Sequence, residues 1–317
     1  MNMISDIDIR DAFFDEIFAQ AEKDKNLIFL CADMGAFSLD RFKAELPQQF
    51  INMGVAEQNM ISVAAGLALS GKNVFVYSIA PFVTMRVFEQ IKIDLCCMNL
   101  PVTIVGMGAG LTYSTDGPTH HAIHDLALMR SLPEMTIFHP CDASSAAAIA
   151  KISYESKHPV YVRLEKGQLP DIYDPDKKDF SCGFGLLTAG GDASIVAMGV
   201  MTDIACRVAA QLKEEGLNIQ VIDVYRLKPL NFLVLKKALM KTPCILTFEE
   251  HTHTGGLGSD LVSWLAADCD TTPVKRCAIP DQHVFESASR EELHQLFGLT
   301  AEQLKETVKN WIEQNKK

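Results

Sequence analysis

A chain of 317 residues is long enough for two domains that each bury a core of their own. Its 48% hydrophobic and 22% charged content are those of a soluble globular protein, and no apolar stretch is long enough to cross a bilayer. The net charge of −11 argues against nucleic acid or an anionic membrane as a general partner, while leaving room for a local basic pocket. Nine cysteines appear without a C-x-x-C pair, and the N-terminus has charged residues where a signal peptide would have an apolar core. Both features predict a reduced, cytoplasmic protein.

In chain order, β-rich runs at 27–32, 74–77, 102–105, 136–138 and 160–163 alternate with helical patterns at 9–21, 59–69, 84–98, 121–130 and 143–156. Residues 167–179 carry Pro, Asp and Lys with few apolar side chains and read as a linker. Strands then follow at 193–198, 219–224, 245–249 and 274–278, with helices at 203–215, 231–240 and 259–267. Strand–helix alternation of this kind predicts an α/β fold of two doubly wound domains with mostly parallel sheets. The first spans 1–168, the linker 169–185 and the second 186–317.

Several residues stand where chemistry would need them. Asp33 follows the C-terminal end of the first clear strand, where open α/β sheets bind ligands; it could equally cap the next segment. Glu57, in Ile51-Asn52-Met53-Gly54-Val55-Ala56-Glu57-Gln58-Asn59-Met60, enters an apolar segment that reads as buried almost all round. A carboxylate there must be paired, protonated or functional, because an isolated buried charge is costly; from local spacing alone, an acidic residue facing the helix dipole is the plain alternative. In 114–125, the turn Asp116-Gly117-Pro118 presents Asp116, Thr119 and His120 together on a loop. His120 and His124 stand at i, i+4 spacing beside His121, but no H-E-x-x-H signature accompanies them.

The glycine-rich run Gly106-Met107-Gly108-Ala109-Gly110 brings its third glycine one residue too early for a dinucleotide fingerprint. Gly255-Gly256-Leu257-Gly258 lacks the Lys-Ser/Thr of a P-loop; its glycines permit a tight turn into a helix that Ser259 could cap. His251 and His253 beside it read mainly as structural.

The runs at 51–60, 77–90, 114–125, 163–167 and 249–260, in that order, resemble the thiamine-diphosphate transketolases, in particular the C-terminal half of that family made as a separate subunit. The resemblance implies a pyrimidine-binding domain followed by a transketolase C-terminal domain. It casts Glu57 as the glutamate that hydrogen-bonds the cofactor's aminopyrimidine and promotes ionisation of the thiazolium carbon. It casts Phe82 as the ring that stacks on that pyrimidine, with Tyr77 and Phe88 as alternatives, and puts Asp33 and the backbone around Met34 close to the cofactor. Asp116 and His120 would face the sugar substrate and handle its hydroxyls and protons, with His121 beside them. Arg86 or Glu89 would line the site or tie their helix to its neighbour.

Arg163 and Lys166 resemble the family's basic pair, where an arginine often grips a substrate phosphate. Lys166 stands at the arginine-like position, without an arginine's bidentate fork. The glycine run at 106–110 lacks the phosphate-binding His or Arg that many full-length members carry there. The family's Gly-Asp-Gly segment for Mg²⁺ and diphosphate has only Gly190-Gly191-Asp192-Ala193 as a near match, which lacks the second glycine. The resemblance therefore implies thiamine diphosphate as cofactor, with Mg²⁺ held mainly by an N-terminal partner subunit in an α2β2 assembly. The implied activity is transfer of a two-carbon ketol unit from a ketose to an aldehyde through a thiamine-diphosphate carbanion. Alternatives are a deoxyxylulose-phosphate-synthase-like or 2-oxo-acid-dehydrogenase-β-like thiamine enzyme, and a non-catalytic assembly subunit.

Overall fold

Apolar runs with no polar face are suited to strands covered on both sides, and that is how most of them fold. The structure, a computed structural model, describes residues 4–174 and 179–316; residues 175–178 of the expected linker lie outside the described residues. Strand β1 (Ile4–Asp8) leads into α1 (Ile9–Lys23), which Asp8 caps by accepting the Arg10 amide. Next come β2 (Leu27–Cys31), α2 (Phe37–Glu45), β3 (Phe50–Asn52), α3 (Glu57–Leu69) and β4 (Asn73–Ile79). Two short helices, α4 (Ala80–Thr84) and α5 (Phe88–Gln90), run into a π-helical segment at Ile91–Cys96. The first half continues through β5 (Val102–Met107), α6 (Asp125–Arg130), β6 (Thr136–Phe138), α7 (Ala143–Glu155), β7 (Val160–Leu164) and β8 (Gln168–Pro170).

The second half holds β9 (Gly185–Thr188), β10 (Ala193–Ala197), α8 (Val200–Glu214), β11 (Ile219–Asp223) and β12 (Arg226–Lys228). It ends with α9 (Phe232–Leu239), β13 (Ile245–Thr252), α10 (Leu257–Ala267), β14 (Val274–Ile279), α11 (Arg290–Phe297) and α12 (Ala301–Asn315). Among the described residues the first sheet has seven strands in the order β12-β6-β7-β5-β4-β2-β3, and the second has five in the order β14-β13-β10-β11-β9. Within these two sheets pairing is parallel except for the edge strands β12 and β9, and β1 and β8 pair antiparallel as a separate ribbon. The α/β reading with mostly parallel sheets therefore holds. No helix among the described residues is long and apolar enough to cross a membrane.

The two halves share material. β12 belongs to the second half of the chain yet pairs with β6, and one apolar cluster joins Leu30, Val76 and Ile104 to Val196, Ile222 and Leu257. The chain leaving β8 is pinned early: Asp142 caps α7 through one carboxylate oxygen and accepts the Ile172 and Tyr173 amides with the other, at 2.9 and 2.7 Å. Beyond the undescribed residues, the buried Phe180 ring packs edge-on against Tyr173 and Tyr225, 5.0 Å from each.

Two predicted helices differ in form. The one at 84–98 begins early, at Ala80, because Pro81 sits in the first turn, where a missing N–H costs nothing. It then breaks at 85–87 before the π-helical segment. The one at 121–130 starts only at Asp125. Residues before it are held by the Gly117 turn, and Ala122 is bridged to Ala109 and Gly110, so His120 and His124 do not share a helical face.

Candidate active site

Parallel pairing of β2, β3, β4, β5 and β7 brings their C-terminal ends to one rim of the first sheet. Asp33 follows β2, Glu57 follows β3, Phe82 and Arg86 follow β4, the 111–121 loop follows β5 and Lys166 follows β7. Residues far apart in the chain are thus neighbours because of sheet order, at the edge where such sheets bind ligands.

Glu57 is the first residue of α3 and is only 3% exposed. The helix start favours its negative charge, but so buried a carboxylate also needs a partner. Arg86 supplies one: its Nη1 donates to Glu57 Oε2 at 3.0 Å, and the Ser78 hydroxyl lies 3.4 Å from Oε1. The Arg86 guanidinium carbon also lies over the Phe82 ring, 4.3 Å from its centre, a cation–π contact. Phe82 lies within α4, and its ring meets His120 edge-on at 5.1 Å. The chain of contacts continues from His120 to Thr119 Oγ1 at 2.9 Å and to the Tyr113 ring at 6.0 Å, and from Tyr113 to Lys166 Nζ at 5.5 Å. Glu57, Phe82, His120 and Lys166 are therefore brought together, through Arg86 and Tyr113. Asp116 is exposed at the end of a 3-10 turn on the same loop.

Asp33, after β2, is exposed and adopts a left-handed φ of 53°. Asn52 clasps it, donating to Asp33 Oδ1 at 3.0 Å and accepting the Asp33 amide at 3.1 Å and the Gly54 amide at 2.9 Å. Asp33 does not cap α2, whose N-cap is Ala36. Met34 is half-buried; its amide donates to Cys31 Sγ, and its carbonyl accepts from the Cys31 thiol, which burial pushes up to about 11.

Other expected residues have different surroundings. His121 is buried beneath the loop, with Nε2 bonded to the Ser114 carbonyl at 3.1 Å and Nδ1 unpartnered among the described residues. It props the loop where His120 faces out of it. Arg163 is 1% exposed and stands apart from the Glu57 cluster. Its Nε donates to Asp125 Oδ2 at 2.9 Å, its Nη2 donates to the carbonyls of Ala122 and Glu250, and its Nη1 lies 3.4 Å from His139 Nδ1. With these donors committed inside the protein, Arg163 is a core residue. Tyr77, the alternative stacking ring, is fully buried against Phe14 and Phe29.

Behind the rim, an ionic network seals the two halves together. Arg290 donates to Glu250 at 2.8 and 2.6 Å and to Glu165 at 3.0 Å. His139 lies 3.3 Å from Glu165, His294 contacts Glu250, and the Leu111 amide donates to Glu250 at 2.9 Å. Burial would raise both carboxyls, but Arg290 and the histidines hold them well below the usual carboxylate range. In the second half, Glu249 takes the Leu257 and Gly258 amides at 2.6 and 2.9 Å, so the protein's own carboxylate fills the glycine-rich turn. Burial pushes Glu249 up to about 7. Gly256 is the N-cap of α10, and Ser259 instead donates to the His253 carbonyl. Arg86 and Tyr113 are the two members of the rim that sequence patterns leave unplaced; nothing in the pattern around Arg86 separates a site-lining role from a surface salt bridge.

Residues 5–171 match the transketolase pyrimidine binding domain, and residues 185–304 match the transketolase C-terminal domain. The chain is 36% identical over 313 residues to a subunit of the apulose-4-phosphate transketolase of Phocaeicola vulgatus, covering 98% of each chain. It is 35% identical over 298 residues to the 6-deoxy-6-sulfo-D-fructose transketolase subunit SqwH of Clostridium sp., covering 93% of this chain and 92% of that one. Among solved structures it is similar to a split-gene transketolase, an inactive β4 tetramer, with a TM-score of 0.89 and 35% identity, covering 98% of this chain and 100% of the other. The chain belongs to the transketolase family, as the C-terminal subunit of a two-component transketolase.

Proposed function

We propose that the Glu57–Phe82–His120 rim is the pyrimidine half of a thiamine-diphosphate site. With an N-terminal partner subunit it transfers a two-carbon ketol unit from a ketose donor to an aldehyde acceptor. Residues 1–168 and 186–317 serve as its pyrimidine-binding and C-terminal domains. The observation that carries this reading is the buried Glu57 carboxylate, which already holds a flat, donor-bearing group lying over Phe82. An aminopyrimidine has the same two needs, so the residues present fit it. Bound there, thiamine diphosphate would supply the nucleophilic carbon and the electron sink. The protein's part is to hold and exchange a proton at Glu57, which a carboxyl group in a water-poor site can do and an amide cannot. Phe82 fixes the plane of the ring by stacking, and Asp33 and the backbone at Met34 border it.

His120 sits on the open side of Phe82, half-buried, with a ring nitrogen that can take or give a proton near a sugar carbonyl. Asp116 lies exposed on the same loop, and its carboxylate would accept from a sugar hydroxyl. Lys166 is exposed at the outer end of the rim, a point charge suited to an anionic substrate tail.

The diphosphate and Mg²⁺ are assigned to the partner subunit. The relatives named above include transketolases made as separate subunits and the product of a split gene, which supports a divided site and an α2β2 assembly. The nine cysteines are free, in keeping with a reducing cytoplasm. Replacement of Glu57 by Gln tests the assignment. Turnover with the partner subunit should fall by about 100-fold or more, the usual worth of a positioned proton-transfer group, while the far-UV spectrum and assembly are kept. Full turnover by Glu57→Gln would refute the role.

A further inference from the structure

Arg86 lies where the reading above seats the cofactor's ring, and it meets the same two groups. Its Nη1 takes a Glu57 oxygen at 3.0 Å and its guanidinium covers the Phe82 ring at 4.3 Å. A guanidinium is flat, cationic and edged with N–H donors. An aminopyrimidine is also flat and bonds a carboxylate through its edge. If both use the same face of Phe82 and the same carboxylate, they cannot be present together.

We propose that Arg86 is a built-in competitor for the pyrimidine seat, filling it in the cofactor-free subunit and vacating it when the cofactor enters. The proposal rests on the assignment of Glu57 and Phe82 made above. Three features fit such a device. First, Glu57 is only 3% exposed and the Ser78 hydroxyl at 3.4 Å is a long contact, so Arg86 is the partner that offsets burial of the carboxylate in the empty site. Second, Arg86 is not itself buried: its side chain is 46% exposed, so the head can turn outward into water. Third, it sits in the break at 85–87 between α4 and α5, while its carbonyl accepts from Gln58 Nε2 at 3.3 Å. That bond ties the backbone to α3, so the side chain alone needs to move.

A competitor of this kind lowers apparent affinity by the fraction of time it leaves the seat open. Titration of thiamine diphosphate with Mg²⁺ into the full chain mixed with its N-terminal partner subunit reads that fraction. Arg86→Ala should bind about tenfold tighter than the wild type, as expected when the open state is the minor one. Arg86→Lys, which keeps the charge but loses the flat stacking surface, should fall between them. A second readout needs no cofactor: in thermal unfolding of the chain alone, Arg86→Ala should lower the Tm, and should do so much less in a Glu57→Gln background. Unchanged or weaker cofactor binding by Arg86→Ala would overturn the proposal, weaker binding meaning that Arg86 helps to hold the cofactor. Equal Tm losses in both backgrounds would also overturn it. Failure of every mixture to bind, with the Tm coupling intact, would instead remove the pyrimidine-site assignment, and this proposal with it.

Discussion

Buried ionisable side chains in this protein are explained by what they touch, and two histidines show how little of that a sequence reveals. His120 and His121 are adjacent, yet one faces Phe82 from an open loop and the other is closed beneath it. Alternation along an irregular loop follows no fixed period, so the sequence could propose the pair without separating them. The burial and pairing of Glu57 were legible because the segment after it soon turns apolar, although Gln58, Asn59, Ser62 and Gly66 leave one face of that helix exposed. Those of Arg163 were not legible, because the acceptors that bury it come from Ala122, Asp125 and Glu250, far off in the chain. His251 offers a test at this scale. It is fully buried, its Nδ1 donates to the Thr252 carbonyl, and burial lowers it to about 4. The unfolded chain would take up a proton there near pH ~6.5 while the folded chain stays neutral. Stability from this group is therefore full above about pH 6.5 and lost as the pH falls towards 4. His251→Asn, which keeps a donor for the carbonyl, should lose less stability than the wild type in urea melts between about pH 6.5 and about pH 4.5. Identical pH slopes would contradict the assignment.

Strands and helices with clear periods were readable as elements, and the pieces that fix the site were less so. β3, β8, β9 and β12 are only three or four residues long and lie at sheet edges, where so few residues give no usable pattern. The last two helices do carry start signals, the capping boxes Ser289/Glu292 and Thr300/Gln303, which lie outside the strand–helix alternation that marks the rest of the chain. The glycine-rich run after β5 shows why a motif must be read with its neighbours. It is no nucleotide cradle; it lets the chain pass close to the second half. Gly110 has a φ of +56°, and a Cβ there would collide with Glu250 Oε2, the atom that binds Leu111 and Arg290. Gly110→Ala should cost about 2 kcal/mol or more, from strain and from disturbing a buried ion network. Chemical denaturation measures it, and a neutral result would mean that this contact yields easily.

At the scale of the molecule, the two halves form one body through a common apolar cluster, an edge strand that the second half adds to the first sheet, and the Arg290 network. This arrangement backs the rim of the first sheet and leaves Glu57, Phe82, His120 and Lys166 at its open edge. The α/β class and the resemblance to half of a larger enzyme were both legible, because motif order survives where individual contacts cannot be seen. The junction was not, since β12 and Arg290 reach partners far back in the chain, across whole strand–helix units. Calorimetric titration of thiamine diphosphate with Mg²⁺, first into this chain alone and then after its N-terminal partner subunit is added, tests most directly whether the active site is divided. Tight binding only in the mixture is the predicted result. Tight binding to the chain alone would place the diphosphate site in this subunit and contradict the division.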